Sequence, residues 1–298
     1  MPTTKETQVP AIDQRTEIAF ERILLATDFS PTADIATAYA VGLARRFSST
    51  LELTNVIDLS ATAPSVDVLI GPALDALRQT GEEHLQRVAD GISGVKVTKK
   101  IIEGFLPASL ILEAAVESTS ELIVLGTSSK QGLKKLIQGS TAEEIIRKAV
   151  CPVLTVGPNV VKPADIPLAF QSILYATDLS PHAAKEASYA LSFAEDSGAH
   201  LYLCQVIDDK EYPSPSDLKA SSVSLKKLIP DSAYDWCRPE CVTEQGNAAK
   251  TILKLALRVS ADLIVLGVRR SSFWLTYVDT GVAAAVLSEA GCPVLTIC

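Results

Sequence analysis

The sequence predicts an α/β fold of two tandem, doubly wound and mostly parallel five-stranded sheets with helices on both faces. Three observations support this prediction. Apolar residues occur in short bursts such as ILLAT, LIVLG and PVLTV, which are typical of strands buried on both faces. Segments with helical periodicity separate these bursts, as parallel strands require. The whole arrangement then occurs a second time in the chain.

The first strand is predicted over ERILLAT, which ends at Asp28. Ser30 is a suitable N-cap and Pro31 a suitable first residue for the helix that follows. The segment TLELTNVID predicts the second strand, the stretch Leu59–Pro72 a loop, and ALDALRQTGEEHLQRVADGI a helix. The alternating segment GVKVTKKIIEG predicts the third strand, and Pro107 opens the next helix.

The stretch from Glu121 to Val156 completes the first half and directs the functional interpretation. ELIVLG predicts a buried strand that ends at Gly126, and Gly139-Ser140-Thr141 open the helix AEEIIRKAV before the last strand. The carboxyl end of a parallel strand, followed by a helix N-terminus, is where open α/β sheets bind ligands. Free N–H groups, the helix dipole and nearby lysines favour an anion there, above all phosphate.

An internal repeat divides the chain. ILLATDFSP begins at Ile23 and ILYATDLSP at Ile173, 150 residues later, whereas LIVLG ends at Gly126 and at Gly267, 141 residues apart. The difference places a shorter loop-helix insert between the second and third strands of the second half. We therefore predict a polar N-terminal tail over 1–20, domains over 21–157 and 171–298, and a linker over 158–170.

Composition argues against several functional classes. No apolar run reaches the roughly 18 residues that a membrane span needs. A net charge of -8 and a pI near 5.0 argue against a nucleic-acid partner. Six cysteines are too few for a disulfide scaffold, and the polar amino-terminal segment lacks the apolar core of a secretory signal. We expect a cytoplasmic protein without a membrane or nucleic-acid partner.

The last strand of each half, PVLTV or PVLTI, is short and apolar. An uncovered apolar edge favours strand pairing. We therefore expect the two halves to associate through these strands about a pseudo-two-fold axis, the alternative being that each strand is simply well covered. The sequence leaves open whether two chains form a homodimer.

These residues resemble the universal stress protein family, whose fold is adenine nucleotide alpha hydrolase-like, and the chain is similar to a tandem member with two such domains. The resemblance rests on A-T-D-x-S-P after the first strand, on LIVLGT with CPVLT, and on the spacing Gly, two residues, Gly, nine residues, Gly-Ser/Thr of ATP-binding members. It implies a site for ATP, or for ADP or AMP, with Mg²⁺ as an optional companion. The implied nucleotide-binding residues are Ala26, Thr27, Asp28, Val56, Gly126, Ser129, Lys130, Gly139, Ser140 and Thr141.

The resemblance also implies individual roles. Asp28 matches the acidic residue beside the ribose and adenine, and Val56 matches the second-strand position whose backbone meets the adenine edge. Gly126 and Gly139 would let the backbone approach phosphates, and Lys130 would neutralise their charge. The alternative is that the glycines only form tight turns and the lysine only contacts solvent.

Ser129 departs from the family pattern, which has a second glycine at this position. If the position needs a positive φ, a non-glycine residue costs about 1–2 kcal/mol. Since about 1.4 kcal/mol corresponds to tenfold in affinity, this departure would weaken binding without abolishing it.

The second half departs further from the pattern. Gly267 is retained, but Arg270 replaces the second glycine and Thr280-Gly281 replace Gly-Ser. We expect the second half not to bind ATP in the family manner, with Asp178 a relic or an N-terminal helix cap. Bulky side chains that would fill or reshape its pocket are Phe273, Trp274 and Tyr277.

No catalytic constellation or metal site is recognised in the sequence. The phosphate-binding pattern GxxxxGK[ST] and the dinucleotide pattern GxGxxG do not occur, and Cys237 and Cys241 have no neighbouring histidine that would suggest zinc. We expect a regulatory stress-response protein that is not an enzyme, with slow ATP hydrolysis as a weaker option. The alternative is a scaffold that binds no nucleotide and acts through protein partners.

Overall fold

The computed structural model describes residues 18–60, 71–127, 141–163, 168–208, 214–268 and 280–297. Contacts between Cα atoms divide the chain into two compact units, Ala19–Leu168 and Ala169–Ile297. Each unit alternates strands and helices along the chain, and its strands pair in parallel. The predicted α/β fold class is therefore confirmed.

In the first unit, the described strands are β1 (Arg22–Ala26), β2 (Thr50–Asp58), β3 (Lys96–Gly104), β4 (Leu122–Gly126) and β5 (Val153–Val156). The helices are α1 (Pro31–Phe47), α2 (Pro72–Asp90), α3 (Pro107–Glu117) and α4 (Thr141–Lys148). The strands pair in the order β3-β2-β1-β4-β5. The order changes direction between β1 and β4, so the carboxyl ends of these strands flank the crevice where doubly wound sheets bind ligands.

In the second unit, the described strands are β6 (Ser172–Ala176), β7 (His200–Ile207), β8 (Arg238–Gln245), β9 (Leu263–Gly267) and β10 (Val294–Ile297). The helices are α5 (Ala183–Ser197), α6 (Pro215–Lys226), α7 (Ala233–Trp236), α8 (Ala248–Arg258) and α9 (Thr280–Glu289). The strand order β8-β7-β6-β9-β10 repeats that of the first unit. The equivalent crevice lies between β6 and β9.

The first helix of each unit begins differently. In the first unit the Ser30 hydroxyl accepts a hydrogen bond from the Ala33 N–H at 3.2 Å, and Pro31 is the first helical residue, as predicted. In the second unit the helix begins only at Ala183, two residues after Pro181, and its cap residue makes no side-chain capping bond. The start of this helix therefore lies differently against its sheet.

The central strands β1 and β4 of the first unit are buried on both faces. Ile23, Leu24 and Leu25 of β1 are fully inaccessible to solvent, which explains why the strand reads as a continuous apolar run. After β5, the Tyr39 hydroxyl donates to the Val161 carbonyl at 3.2 Å, so the start of the predicted linker packs against α1. Within the described residues, no helix is both long enough and apolar enough to cross a membrane.

Candidate functional site

A pocket of about 240 Å³ lies at the carboxyl ends of β1, β2 and β4 in the first unit. The change of direction in strand order between β1 and β4 opens this space, and the starts of α3 and α4 close it. Its wall consists of Ala26, Thr27, Asp28, Thr54, Val56, Asp58, Pro107, Ile111, Leu125, Gly126, Thr141, Ala142 and Ile145.

Six of the ten residues assigned from the sequence meet in this wall. They come from three strands, the loop that follows β1 and one helix, and are Ala26, Thr27, Asp28, Val56, Gly126 and Thr141. The other four lie outside the described residues, so their roles and the effect of a serine in place of the glycine stay predictions. They are Ser129, Lys130, Gly139 and Ser140.

The loop between β1 and α1 is held by its own side chains. The Thr27 hydroxyl accepts from the Phe29 N–H at 3.1 Å, and the Asp28 carboxylate accepts from the Ser30 N–H at 3.0 Å. The Asn55 amide donates to the Thr27 carbonyl at 2.8 Å. Phe29 adopts a left-handed φ of 59°, which is uncommon for a non-glycine residue. The loop therefore presents Asp28 at the pocket from a fixed backbone.

Gly126 ends β4 at the point where the strand meets the first turn of α1. A Cβ atom on this residue would lie 2.8 Å from the Thr32 carbonyl group and from the Ala33 nitrogen. The neighbouring atoms belong to the backbone and cannot move aside alone. Close packing of α1 on β4 therefore accounts for a glycine at this position. The sequence analysis had explained this glycine only by the close approach of the backbone to phosphates.

The described part of the pocket wall has two electrostatically different sides. Its charged side chains are Asp28 and Asp58, which follow or end the central strands β1 and β2. On the opposite side, Thr141 and Ala142 begin α4, so the positive end of a helix dipole lies at the wall. Carboxylates accept hydrogen bonds from sugar hydroxyls, and a helix N-terminus favours an anion.

Several wall residues were missed by the sequence reasoning. Asp58 had a signal, because NVID ends at this residue and QVID ends at the equivalent Asp208. The other missed residues come from β2, β4, α3 and α4, and their residue types alone say nothing of a pocket. They are Thr54, Pro107, Ile111, Leu125, Ala142 and Ile145.

The second unit has an equivalent but smaller pocket of about 150 Å³. Of the eleven wall residues that the structure describes here, ten occupy positions equivalent to wall residues of the first pocket, 150 or 141 places later in the chain. The exception is Glu186, whose equivalent in the first unit is Ala36. The wall comprises Ala176, Thr177, Asp178, Glu186, Val206, Ala248, Ile252, Leu266, Gly267, Val282 and Ala283.

Glu186 brings a buried carboxylate to this second pocket. The side chain is only 6% exposed, and its Oε2 atom lies 2.9 Å from the hydroxyl of Tyr175, which donates to it. A Cβ atom on Gly267 would fall 2.2 Å from the Glu186 carboxyl carbon, so the carboxylate rests directly on this glycine. Burial, followed by the charge of Glu186, raises the pKa of Tyr175 far above its usual value, so the phenol keeps its proton.

The structure corrects one sequence interpretation of the second half. The Asp178 carboxylate accepts from the Ser180 N–H at 2.8 Å, whereas α5 begins at Ala183, so Asp178 closes a turn and does not cap the helix. The bulky side chains expected to fill the pocket lie outside the described residues, and their effect stays a prediction. They are Arg270, Phe273, Trp274 and Tyr277.

Buried cysteines are concentrated in the second unit. Cys204, Cys237 and Cys292 are buried free thiols, and burial raises the pKa of each to about 12. These thiols are therefore protonated at neutral pH and behave as small apolar side chains. Across the described ranges, no three His, Cys, Asp or Glu side chains are grouped so that they could hold a metal ion.

We expect the second unit to lose stability as the pH rises from 9 to 12. A thiol whose pKa is about 12 in the folded state and about 9 when exposed contributes stability that is complete below pH 9 and lost above it. For Cys204 the loss by pH 11 is on the order of 2 kcal/mol, since one pKa unit corresponds to about 1.4 kcal/mol.

Urea unfolding at pH 8 and pH 11 under reducing conditions measures this loss. Tryptophan fluorescence follows the second half, because Trp236 and Trp274 are the two tryptophans of the chain. The Cys204→Ala variant should lose less stability than the parent between the two pH values. Equal losses would contradict the prediction.

Comparison with known proteins identifies the same family in both halves. The model of the universal stress protein family matches residues 19–157 and 169–297. A universal stress protein of Methanocaldococcus jannaschii is 34% identical over 146 residues, which cover 47% of this chain and 84% of that protein.

Solved structures agree in fold over nearly the whole chain. A universal stress protein from Archaeoglobus fulgidus has a TM-score of 0.72 at 22% identity, covering 92% of this chain and 95% of that chain. A functionally unknown protein from Pseudomonas aeruginosa has a TM-score of 0.63 at 18% identity, covering 94% of this chain and 92% of that chain. At these identities the likeness concerns the fold.

Proposed function

The chain belongs to the universal stress protein family, and on that premise we propose that the pocket of its first half binds ATP or a related adenine nucleotide. Binding would serve a regulatory role in a stress response, with little or no catalysis. The observation that carries the proposal is the convergence in one pocket of the ends of β1, β2 and β4 with the start of α4. Six of the ten residues that the family resemblance assigns to the nucleotide line this pocket.

The two sides of the pocket suit the two ends of a nucleotide. Asp28 and Asp58 offer carboxylate oxygens to the ribose hydroxyls, and Val56 offers its backbone to the adenine edge. The phosphates belong on the opposite side, near Gly126 and the start of α4 at Thr141, where a helix N-terminus favours negative charge. The family resemblance adds Ser129, Lys130, Gly139 and Ser140 on this phosphate side.

Other parts of the proposal rest on sequence and composition. They are a cytoplasmic location, Mg²⁺ as a companion of the nucleotide, pairing of the halves through PVLTV and PVLTI, and a homodimer. The competing function is a scaffold that binds no nucleotide and acts through protein partners. Nucleotide binding by the purified chain separates the two functions.

Isothermal titration of the full chain with ATP and Mg²⁺ should give one binding event per chain. We expect Asp28→Ala to weaken this binding about 10- to 100-fold, because a hydrogen bond to a charged group contributes about 1.5–3 kcal/mol. The matched control is Asp178→Ala. This variant removes the equivalent turn hydrogen bond in the second pocket, which Asp178 accepts from the Ser180 N–H at 2.8 Å, compared with 3.0 Å from the Ser30 N–H to Asp28. It should leave the ATP affinity unchanged.

Two results would contradict the proposal. If the parent chain does not bind ATP, ADP or AMP at millimolar concentration, the scaffold alternative is favoured. If Asp178→Ala weakens binding more than Asp28→Ala, the nucleotide occupies the second half instead.

A further inference from the structure

The two pockets are built largely from equivalent residues. They differ in the charge that lies beside one glycine that both units share, the glycine at the end of the fourth strand of each unit. In the first unit, backbone atoms of α1 at Thr32 and Ala33 lie against Gly126. In the second unit, the carboxylate of Glu186 lies against Gly267 and forms part of the pocket wall. The phosphate side of the first pocket therefore has a negatively charged counterpart in the second.

The fold itself does not require this carboxylate. In the first unit, Leu25 and Ala36 occupy the positions equivalent to Tyr175 and Glu186, and both are fully buried apolar residues. The same strand order forms with either pair. Burying a carboxylate is costly unless it is hydrogen-bonded, and the Tyr175 hydroxyl supplies such a bond at 2.9 Å. The Tyr175–Glu186 pair is thus a feature of the second pocket that the shared architecture does not explain.

A negatively charged carboxylate at this position would repel anions strongly. Glu186 is only 6% exposed, so solvent screens its electric field poorly. Asp178 adds a second carboxylate to the same wall. Phosphate groups brought beside Gly267 would be repelled, whereas an uncharged nucleoside would not be affected in this way.

We propose that Glu186, held in place by Tyr175, is the specificity-determining residue that excludes nucleotide phosphates from the second pocket. This inference rests on the proposed function. It would explain why the chain binds one nucleotide and not two. The second pocket selects against polyanions through charge.

The test uses the full chain with the first pocket blocked by Ala142→Phe, so that only the second pocket is measured. Glu186→Gln is then added, which removes the charge while keeping the size of the side chain and an acceptor for Tyr175. Binding of ATP and of adenosine is measured by saturation-transfer NMR titration. EDTA is present, so that no divalent cation bridges carboxylate and phosphate.

We expect Glu186→Gln to tighten ATP binding at least tenfold and to change adenosine binding less than threefold. Circular dichroism confirms that the variant is folded. Glu186→Ala, which introduces the residue found at position 36, is a second variant and should also tighten ATP binding selectively.

Unchanged ATP binding in both folded variants would overturn the inference. Equal tightening of ATP and adenosine would overturn it too, because the effect would then come from volume and not from charge. These outcomes are distinct from a failure of the proposed function, which would appear as absent ATP binding in the parent chain, whose first pocket is intact.

Discussion

Ala142→Phe is expected to weaken nucleotide binding to the first half at least 100-fold, or about 2.7 kcal/mol. Ala142 lies in the first turn of α4, is 8% exposed, and forms part of the wall of the 240 Å³ pocket. A phenyl ring at this position occupies the space between the start of α4 and the ends of the strands. The phosphates would lose both their room and their access to the positive end of the helix dipole.

The second unit offers a matched control for this substitution. Ala283 is the equivalent residue, is also 8% exposed, and lines the second pocket. Ala283→Phe should therefore cost a similar amount of folding stability while leaving ATP affinity unchanged. Isothermal titration of both variants measures the affinities, and thermal unfolding checks that the stabilities are comparable. Loss of binding in Ala283→Phe alone would contradict the assignment of the site to the first half.

Gly126→Ala is expected to destabilise the first unit by about 3 kcal/mol, the upper end of the usual cost of overpacking. The added Cβ would lie 2.8 Å from three backbone atoms of Thr32 and Ala33. Relief requires α1 to move away from β4, which also disturbs the loop that carries Asp28. Native-state hydrogen exchange of the β1 and β4 amides measures the loss as a lower free energy of opening.

Gly281→Ala is the comparison variant for this effect. Among the residues that the structure describes, no atom would lie within 4 Å of a Cβ at Gly281, and this residue lies within α9. Alanine is favoured over glycine in a helix by about 0.5–1 kcal/mol, so this variant should be neutral or slightly stabilising. If Gly126→Ala proves as harmless as Gly281→Ala, then α1 does not pack on β4 as closely as the structure indicates.

Much of the fold was predictable because its causes are local. β1 and β4 are buried on both faces, and each therefore appears in the sequence as a short, continuous apolar run. Ser30 and Pro31 determine the start of α1 through hydrogen bonding and φ restriction within four residues. The fold class and the family were predicted correctly for these reasons.

Part of the candidate site was predictable as well. Asp28 and Gly126 stand at the ends of recognisable strands, and parallel strands that flank a change in strand order bring their carboxyl ends together. The apolar wall residues Ile111 and Ile145 were not predicted. These residues belong to helices, and the sequence pattern of an apolar helix face is the same whether that face covers a sheet or lines a cavity.

By itself, the sequence determined the repeated α/β plan, the strand ends and the loop chemistry around Asp28, since each of these depends on neighbours within a few residues. Only the tertiary structure revealed the carboxylate of Glu186 resting on Gly267, and the helix backbone that excludes a side chain at Gly126. These contacts join residues far apart in the chain. They depend on where the first turn of each helix lies relative to its sheet, and a local sequence pattern does not predict that position.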